Sequence, residues 1–480
     1  MGFIIGSKVK ADLILSGGAI VNDTVTVKGD VAIKDGIIIA IGLPSAMPET
    51  LEVVDVTGMH LLPGAIDMHV HFREPGYTHK EDWETGTAAA AMGGVTTVFE
   101  MPNTNPPTRS VKDFQDKQKA ADKAYVDFGI YALLAEDNID ELQGLIDVGA
   151  NAFKCFMGNT FGNLPSPSTG AMLEGFEVIS KSGLRISLHA ETASIMAWRQ
   201  EKLEAAGLYE PLYHIAARPD VVAVEAVSRA AVLAEWTGAR VHILHISSGA
   251  ELAPLAAAKE RGVDITGETC PCYLLLNSND YERLGSVIRV NPPVRDAKDS
   301  EQIWEALQSG VVDMIATDHA PHLPEEKHNE NIWNADCGFP GVETQMRLML
   351  NEVNNGRMSL EHYVKISSVN PAKSFGMWPM KGRIGVGAHA DIAVVDMDRE
   401  ETIRAADLHS RGKITPFEGT RTKGAAIHTL VRGAFVQKDR KLVTNMKGHG
   451  AQVTQIQNMP DPVLKHEDQF LSSILAKGGQ

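Results

Sequence analysis

Two histidines separated by one residue stand near the start of the chain, in Asp67-Met-His69-Val-His71-Phe-Arg73-Glu-Pro-Gly76. The apolar run leading into them reads as a strand, where residues two apart share a face. Asp67, His69 and His71 are therefore expected to project together, with Ile66, Met68 and Val70 packing the other way, and imidazoles so paired can chelate one ion. An isolated His-x-His also suits a strand whose histidines are only polar side chains at a barrel mouth. The downstream sequence favours the metal. Successive strand-like runs close on Lys154, on His189 in Leu-His-Ala-Glu-Thr192, on His245 in Leu-His-Ile-Ser-Ser248 and on Asp318 in Thr-Asp-His-Ala-Pro-His322. With His69 and His71 that makes six ligand-type residues in one succession, and metal-assisted hydrolysis is the chemistry such a set supports. His242 falls at the wrong parity for His245, or at a deeper level, and is left outside the set. Cys270-Pro-Cys272 is by itself a weak metal signal.

The elements that must position these residues are an alternation of apolar strand-like runs with helix-like periodic segments. The strand-like runs are Thr96–Glu100, Ala152–Phe156, Ile186–His189, Val241–His245 and Met314–Asp318. Such alternation implies a parallel sheet, and this many units implies closure into a TIM-type (β/α)8 barrel of the α/β class, with functional residues at the C-terminal strand ends. The chain ends read differently. Ala11–Leu15, Val25–Lys28 and Val31–Ala40, with an Asp35-Gly36 turn, have hairpin chemistry, and similar material returns at Ala390–Val395 and Leu430–Val436. Both ends are expected to form one small β-sandwich domain, from 1–62 and 384–447, around a barrel at 63–383, with a polar tail at 448–480.

Composition bounds the functional classes. The chain has 480 residues, 44% hydrophobic and 22% charged, which suits a globular protein with a sizeable core. A formal net charge of −16 argues against a nucleic-acid partner, whose binders carry basic patches. The cysteines Cys155, Cys270, Cys272 and Cys337 are few and scattered, so no disulfide framework is expected and a reducing compartment is. The first residues lack the apolar core of a signal peptide, and no apolar run reaches membrane-spanning length. A cytoplasmic protein without a membrane partner is the expectation.

The Asp-x-His-x-His strand, Phe-Lys-Cys-Phe around Lys154, His-Ala-Glu, His-Ile-Ser and Thr-Asp-His-Ala-Pro-His, in that order, resemble the cyclic amidases of the amidohydrolase superfamily: dihydroorotase, hydantoinase or dihydropyrimidinase, and allantoinase. The resemblance spans about residues 10 to 445 and includes the segment from Gly86, Met101-Pro-Asn-Thr104, Gly267-Glu-Thr-Cys-Pro271 and Asn291-Pro-Pro-Val-Arg295. It implies two divalent ions, with Lys154 carbamylated by carbon dioxide into an anionic bridge. One ion would be held by His69, His71, Lys154 and Asp318, the other by Lys154, His189 and His245. Asp318 would be the catalytic proton carrier for hydrolytic ring opening. Zinc suits such ligands, and manganese, cobalt and iron remain open.

For the substrate, the resemblance is closest in pocket motifs to dihydroorotase. Arg73, Asn103, Asn291 and His322 occupy positions that in dihydroorotases hold the substrate and its carboxylate, and a guanidinium fork suits that group. The tyrosine that hydantoinases carry five residues after the bridging lysine is replaced by Asn159. Against this, Cys272 stands where dihydroorotases usually have histidine, and the segment around His409–Glu418 looks more like hydantoinases and allantoinases. The expectation is thus a dihydroorotase-like hydrolase of a carboxylated cyclic amide. Hydantoinase, dihydropyrimidinase or allantoinase activity is the nearest alternative, and a silent dihydropyrimidinase-like scaffold the remote one. Relatives of this kind are homo-oligomers, dimers or tetramers.

Overall fold

Asp35 and Gly36 both have positive φ, 49° and 77°, the backbone of a two-residue hairpin loop, and they join two strands of the N-terminal β-domain. In the computed structural model, which describes residues 10–158, 164 and 166–455, this domain begins with β1 (Ala11–Val21), β2 (Thr26–Lys34), β3 (Ile37–Gly42), β4 (Thr50–Asp55) and β5 (His60–Pro63).

The chain then enters an eight-stranded sheet: β6 (Ala65–Val70), β7 (Val95–Glu100), β8 (Asp127–Leu134), β9 (Ala152–Phe156), β10 (Arg185–His189), β11 (Arg240–Ile243), β12 (Ile265–Thr269) and β13 (Met314–Ile315). The strands pair in sequence order and in parallel. Every residue of β6 to β10 is buried, as expected of strands covered on both faces. The last and first strands meet through His319: His71 N donates to His319 O at 2.7 Å and His319 N to His69 O at 3.3 Å. Asp67 reinforces the seam, accepting from Thr317 N at 3.1 Å and Thr317 Oγ1 at 2.5 Å. This is the expected TIM-type barrel.

After the barrel come β14 (Ile392–Thr402), β15 (Arg421–Val431), β16 (Ala434–Lys438) and β17 (Lys441–Leu442), which hydrogen-bond through β5 to β1. Both chain ends thus build one nine-stranded sheet beside the barrel. The stretch after Gly448 does not hang free where it is described. Phe128 N donates to Ala451 O and Val453 N to Phe128 O, so it runs along β8. A Cβ at Gly450 would sit 2.1 Å from Val126 O, so only glycine fits there. Residues 456–480 of the expected tail, and Asn159, lie outside the described residues.

Candidate metal centre

His69 and His71 leave the end of β6 with their Nε2 atoms 3.2 Å apart, and Asp318 Oδ1 stands 3.2 Å from one and 3.1 Å from the other. Donor atoms around a tetrahedral zinc at about 2.0–2.1 Å are separated by about 3.3 Å, so the spacing of this triad is that of ligands about one ion. Among the described residues, two other groups have comparable spacing. In each a lysine ammonium already supplies the positive charge: Lys381 bonds Asp127 and Asp391 at 2.7 and 2.6 Å, and Lys80 bonds Asp336 and Glu326 at 2.7 and 3.0 Å. Neither group includes Cys270 or Cys272, which are buried free thiols.

Opposite the triad, His189 Nδ1 approaches His245 Nε2 to 2.9 Å. Lys154, Phe156, His189 and His245 line the same cavity as His69, His71 and Asp318. Three residues apart, His242 and His245 would face opposite ways on a regular strand. His245 has a φ of 40° and lines the metal cavity beside His189, whereas His242 lies outside that lining with its Nε2 3.0 Å from Glu268 Oε2. Asp318 and Arg73 share the positive φ, at 47° and 62°. For non-glycine residues such backbone costs on the order of 1–3 kcal/mol each, and it concentrates at functional sites.

Three of the four imidazoles, those of His69, His71 and His189, are oriented from behind. His69 Nδ1 lies 2.7 Å from Glu268 Oε1, His71 Nδ1 lies 2.6 Å from Asn103 Oδ1, and His189 Nε2 lies 2.8 Å from Glu191 Oε2. Those contacts assign the proton to the outer nitrogen and leave a lone pair on the inner one. Burial favours the same state. It pushes His69 and His245 well below the usual imidazole value and His71 down to about 4, against the pull of Asp318. Burial likewise pushes Lys154 down to about 7, against Asp318 and Glu268, so a substantial fraction of its amine is neutral near pH 7. Burial works against Glu191, yet Arg218 and His189 hold its carboxyl below the usual range. The cluster is therefore one of neutral nitrogens and carboxylate oxygens, the donor set that borderline divalent cations take.

The expected substrate residues divide. Arg73, Asn103 and Asn291 line the cavity with the ligand-type residues. His322 sits behind Arg73: Arg73 Nη2 donates to His322 Nε2 at 3.1 Å, and His322 Nδ1 faces Asp336 Oδ2 at 2.9 Å. Burial keeps His322 neutral: with its proton on Nδ1 it donates to Asp336 and accepts from Arg73, and with its proton on Nε2 it donates to Cys337 O at 3.0 Å and accepts from Lys80 Nζ at 3.0 Å. A second cleft of about 470 Å³ adjoins the cavity and shares Asn291 and Cys337 with it. Sequence reasoning missed Glu268, Glu191 and Arg218. Two of them had a local signal: Glu268 is a buried residue inside the recognised Gly267-Glu-Thr-Cys-Pro271 segment, and Glu191 lies in the His-Ala-Glu motif two residues after His189.

A family model described as the amidohydrolase family matches residues 60–436. An allantoinase of Rubrobacter xylanophilus is 36% identical over 441 residues, covering 91% of this chain and 96% of the other. An L-hydantoinase of Paenarthrobacter aurescens is 34% identical over 450 residues, covering 92% and 98%. Among solved structures, L-hydantoinase (dihydropyrimidinase) from Arthrobacter aurescens superposes with a TM-score of 0.90 at 33% identity, covering 93% of this chain and 100% of that one. These relatives favour the hydantoinase and allantoinase alternative over the dihydroorotase-like main reading.

Proposed function

The chain belongs to the amidohydrolase family and is a hydrolase of cyclic amides, and from that premise we propose that it opens five-membered cyclic ureides of the hydantoin and allantoin type. The observation that carries this is the convergence of His69, His71, Lys154, His189, His245 and Asp318 on one buried cavity, together with relatives of that activity over nine-tenths of the chain.

The donor set fits a pair of divalent ions. His69, His71 and Asp318 would hold one, His189 and His245 the other, and Lys154 would link them after its neutral Nζ adds to carbon dioxide and loses a proton, giving a carbamate. Bound there, such ions lower the pKa of water and polarise the scissile carbonyl. Zinc is the proposed metal, on the strength of the histidine-rich set. Asp318 accepts the proton of the attacking water and delivers it to the departing ring nitrogen. Arg73, Asn103 and Asn291 orient the ring by hydrogen bonds to its carbonyl and N–H groups. His322 acts through Arg73, whose guanidinium it holds. Exposed Trp198, Val232 and Trp236 on the outer helices, with exposed Leu212 in a turn, support a homo-oligomer, which sedimentation would test.

A second reading, dihydroorotate as substrate, is favoured by one feature: the Arg73 guanidinium at the cavity wall, a natural carboxylate partner. The deciding experiment compares kcat/KM of the zinc-loaded protein for allantoin, hydantoin, dihydrouracil and dihydroorotate. Allantoin or hydantoin should lead; dihydroorotate ahead by orders of magnitude would replace the proposal with the second reading.

A further inference from the structure

The two halves of the metal cavity are supported unequally. In the first, both imidazoles have an outer partner, Glu268 for His69 and Asn103 for His71. In the second only His189 has one, since His245 Nδ1 is buried without a hydrogen-bond partner among the described residues. Orientation of that half therefore falls to Glu191, and Glu191 leans on one cation. Its Oε2 accepts from His189 Nε2 at 2.8 Å and from Arg218 Nη1, while its Oε1 is buried with no partner among the described residues. A guanidinium can only donate, so the shared oxygen is held as an acceptor. His189 then keeps its proton on Nε2, and its Nδ1 lone pair stays on the side of His245.

Arg218 is in turn fixed from the segment that carries the other histidine. Its carbonyl accepts from Arg295 Nη1 at 2.9 Å, and Arg295 Nε donates to Ser247 Oγ at 3.3 Å, two residues beyond His245. Arg295 Nη1 also pairs with Asp220 Oδ1 at 3.0 Å. Contacts thus run from His189 through Glu191, Arg218 and Arg295 to Ser247, tying together the segments that follow β10 and β11.

We infer that Arg218 is a positioning residue for the half-site of His189 and His245: acting through Glu191, it sets the affinity of that half for a divalent ion. The inference rests on the two-ion reading of the centre and assigns a residue that reading does not use. Arg218 lines the adjoining cleft, whereas the metal cavity is lined by His189 and His245 themselves, so its effect passes through the carboxylate. The half-site of His69, His71 and Asp318 has its own supports in Glu268 and Asn103 and should not depend on Arg218. An ion pair that served only the stability of the fold would affect both halves alike.

The test titrates the zinc-loaded protein with a chelator and reads the ions bound per chain. The wild type should hold two. Arg218→Met keeps the stem of the side chain and removes the guanidinium; it should bind one ion about 10- to 100-fold more weakly than the wild type and the other as the wild type does. Because Arg218 acts through the carboxylate, Glu191→Gln should do the same, and it carries the test where Arg218→Met does not fold. His189→Asn removes the half-site outright, so adding Arg218→Met to it should change the affinity for the remaining ion by less than about twofold. Both ions held within about twofold of wild type in either single variant, or both weakened alike, overturns the role of Arg218 and leaves the two-ion centre standing. A wild type that binds fewer than two ions removes that centre, and the inference with it.

Discussion

Glu268 and His69 are joined at 2.7 Å, carboxylate Oε1 to imidazole Nδ1, although 199 residues separate them in the chain. The second carboxylate oxygen binds His242 Nε2 at 3.0 Å, so one buried glutamate fixes a histidine of the metal cavity and a deeper one. A partner of this kind sets the tautomer and raises the basicity of the ligating nitrogen. Glu268→Ala should therefore weaken metal binding by about 10- to 100-fold while preserving the fold. Competition against a chelator would measure this, and an affinity within twofold of wild type would remove Glu268 from the site.

That contact also marks the limit of what the sequence displays. Strand-borne ligands were legible because parallel barrel strands end at one face, so the order His69, His71, Lys154, His189, His245, Asp318 is already a spatial statement. The Asp35-Gly36 hairpin was legible because its left-handed backbone restricts residue choice. Strands β8 and β12 were not singled out as strands. The first, Asp-Phe-Gly-Ile-Tyr-Ala-Leu-Leu, has no ligand-type residue at its end, and the second is five residues long with a central glycine. The inward turn of His245 depends on one φ angle, and the pairing of Glu191 with Arg218 on tertiary contact, neither of which has a periodic signature.

Arg73 and His322 should fail together. Arg73 Nε donates to Pro321 O at 3.3 Å and Nη2 to His322 Nε2 at 3.1 Å, and burial pushes the guanidinium down to about 10. Losing a hydrogen bond to a charged group costs about 1.5–3 kcal/mol, or about 10- to 150-fold in kcat/KM. Arg73→Met should show that loss for allantoin. His322→Ala should show a smaller one, and Arg73→Met/His322→Ala no more than Arg73→Met alone. Additive losses would instead mean that His322 touches the substrate independently.

Glu251 should make stability pH-dependent. Its Oε1 accepts from Ser247 N at 3.1 Å and Ser248 N at 3.0 Å, and burial, only partly offset by Arg295, pushes the carboxyl up to about 7. The folded state therefore holds a proton that the unfolded chain has released above about pH 4.3. Stability from this group is present at low pH and lost as pH rises towards 7, by up to about 1.4 kcal/mol per unit. Glu251→Gln cannot titrate, so its apparent Tm should gain on that of the wild type between pH 5 and 7. A constant difference across that window would show that the folded carboxyl titrates normally.

Lys154 carries the most specific chemical expectation. An ammonium there would oppose cations in the same cavity, whereas a carbamate would supply two anionic oxygens. Burial, the cause that holds the amine near neutrality, also provides the nucleophile for carbon dioxide. Protein loaded with zinc in carbon-13 bicarbonate should give a carbamate resonance that Lys154→Arg lacks. The variant, which keeps a cation that cannot be carbamylated, should bind less metal per chain and lose at least about 100-fold in kcat/KM. Active, metal-replete wild-type protein without that resonance would leave Lys154 as an amine and require the two halves of the site to be bridged by something else.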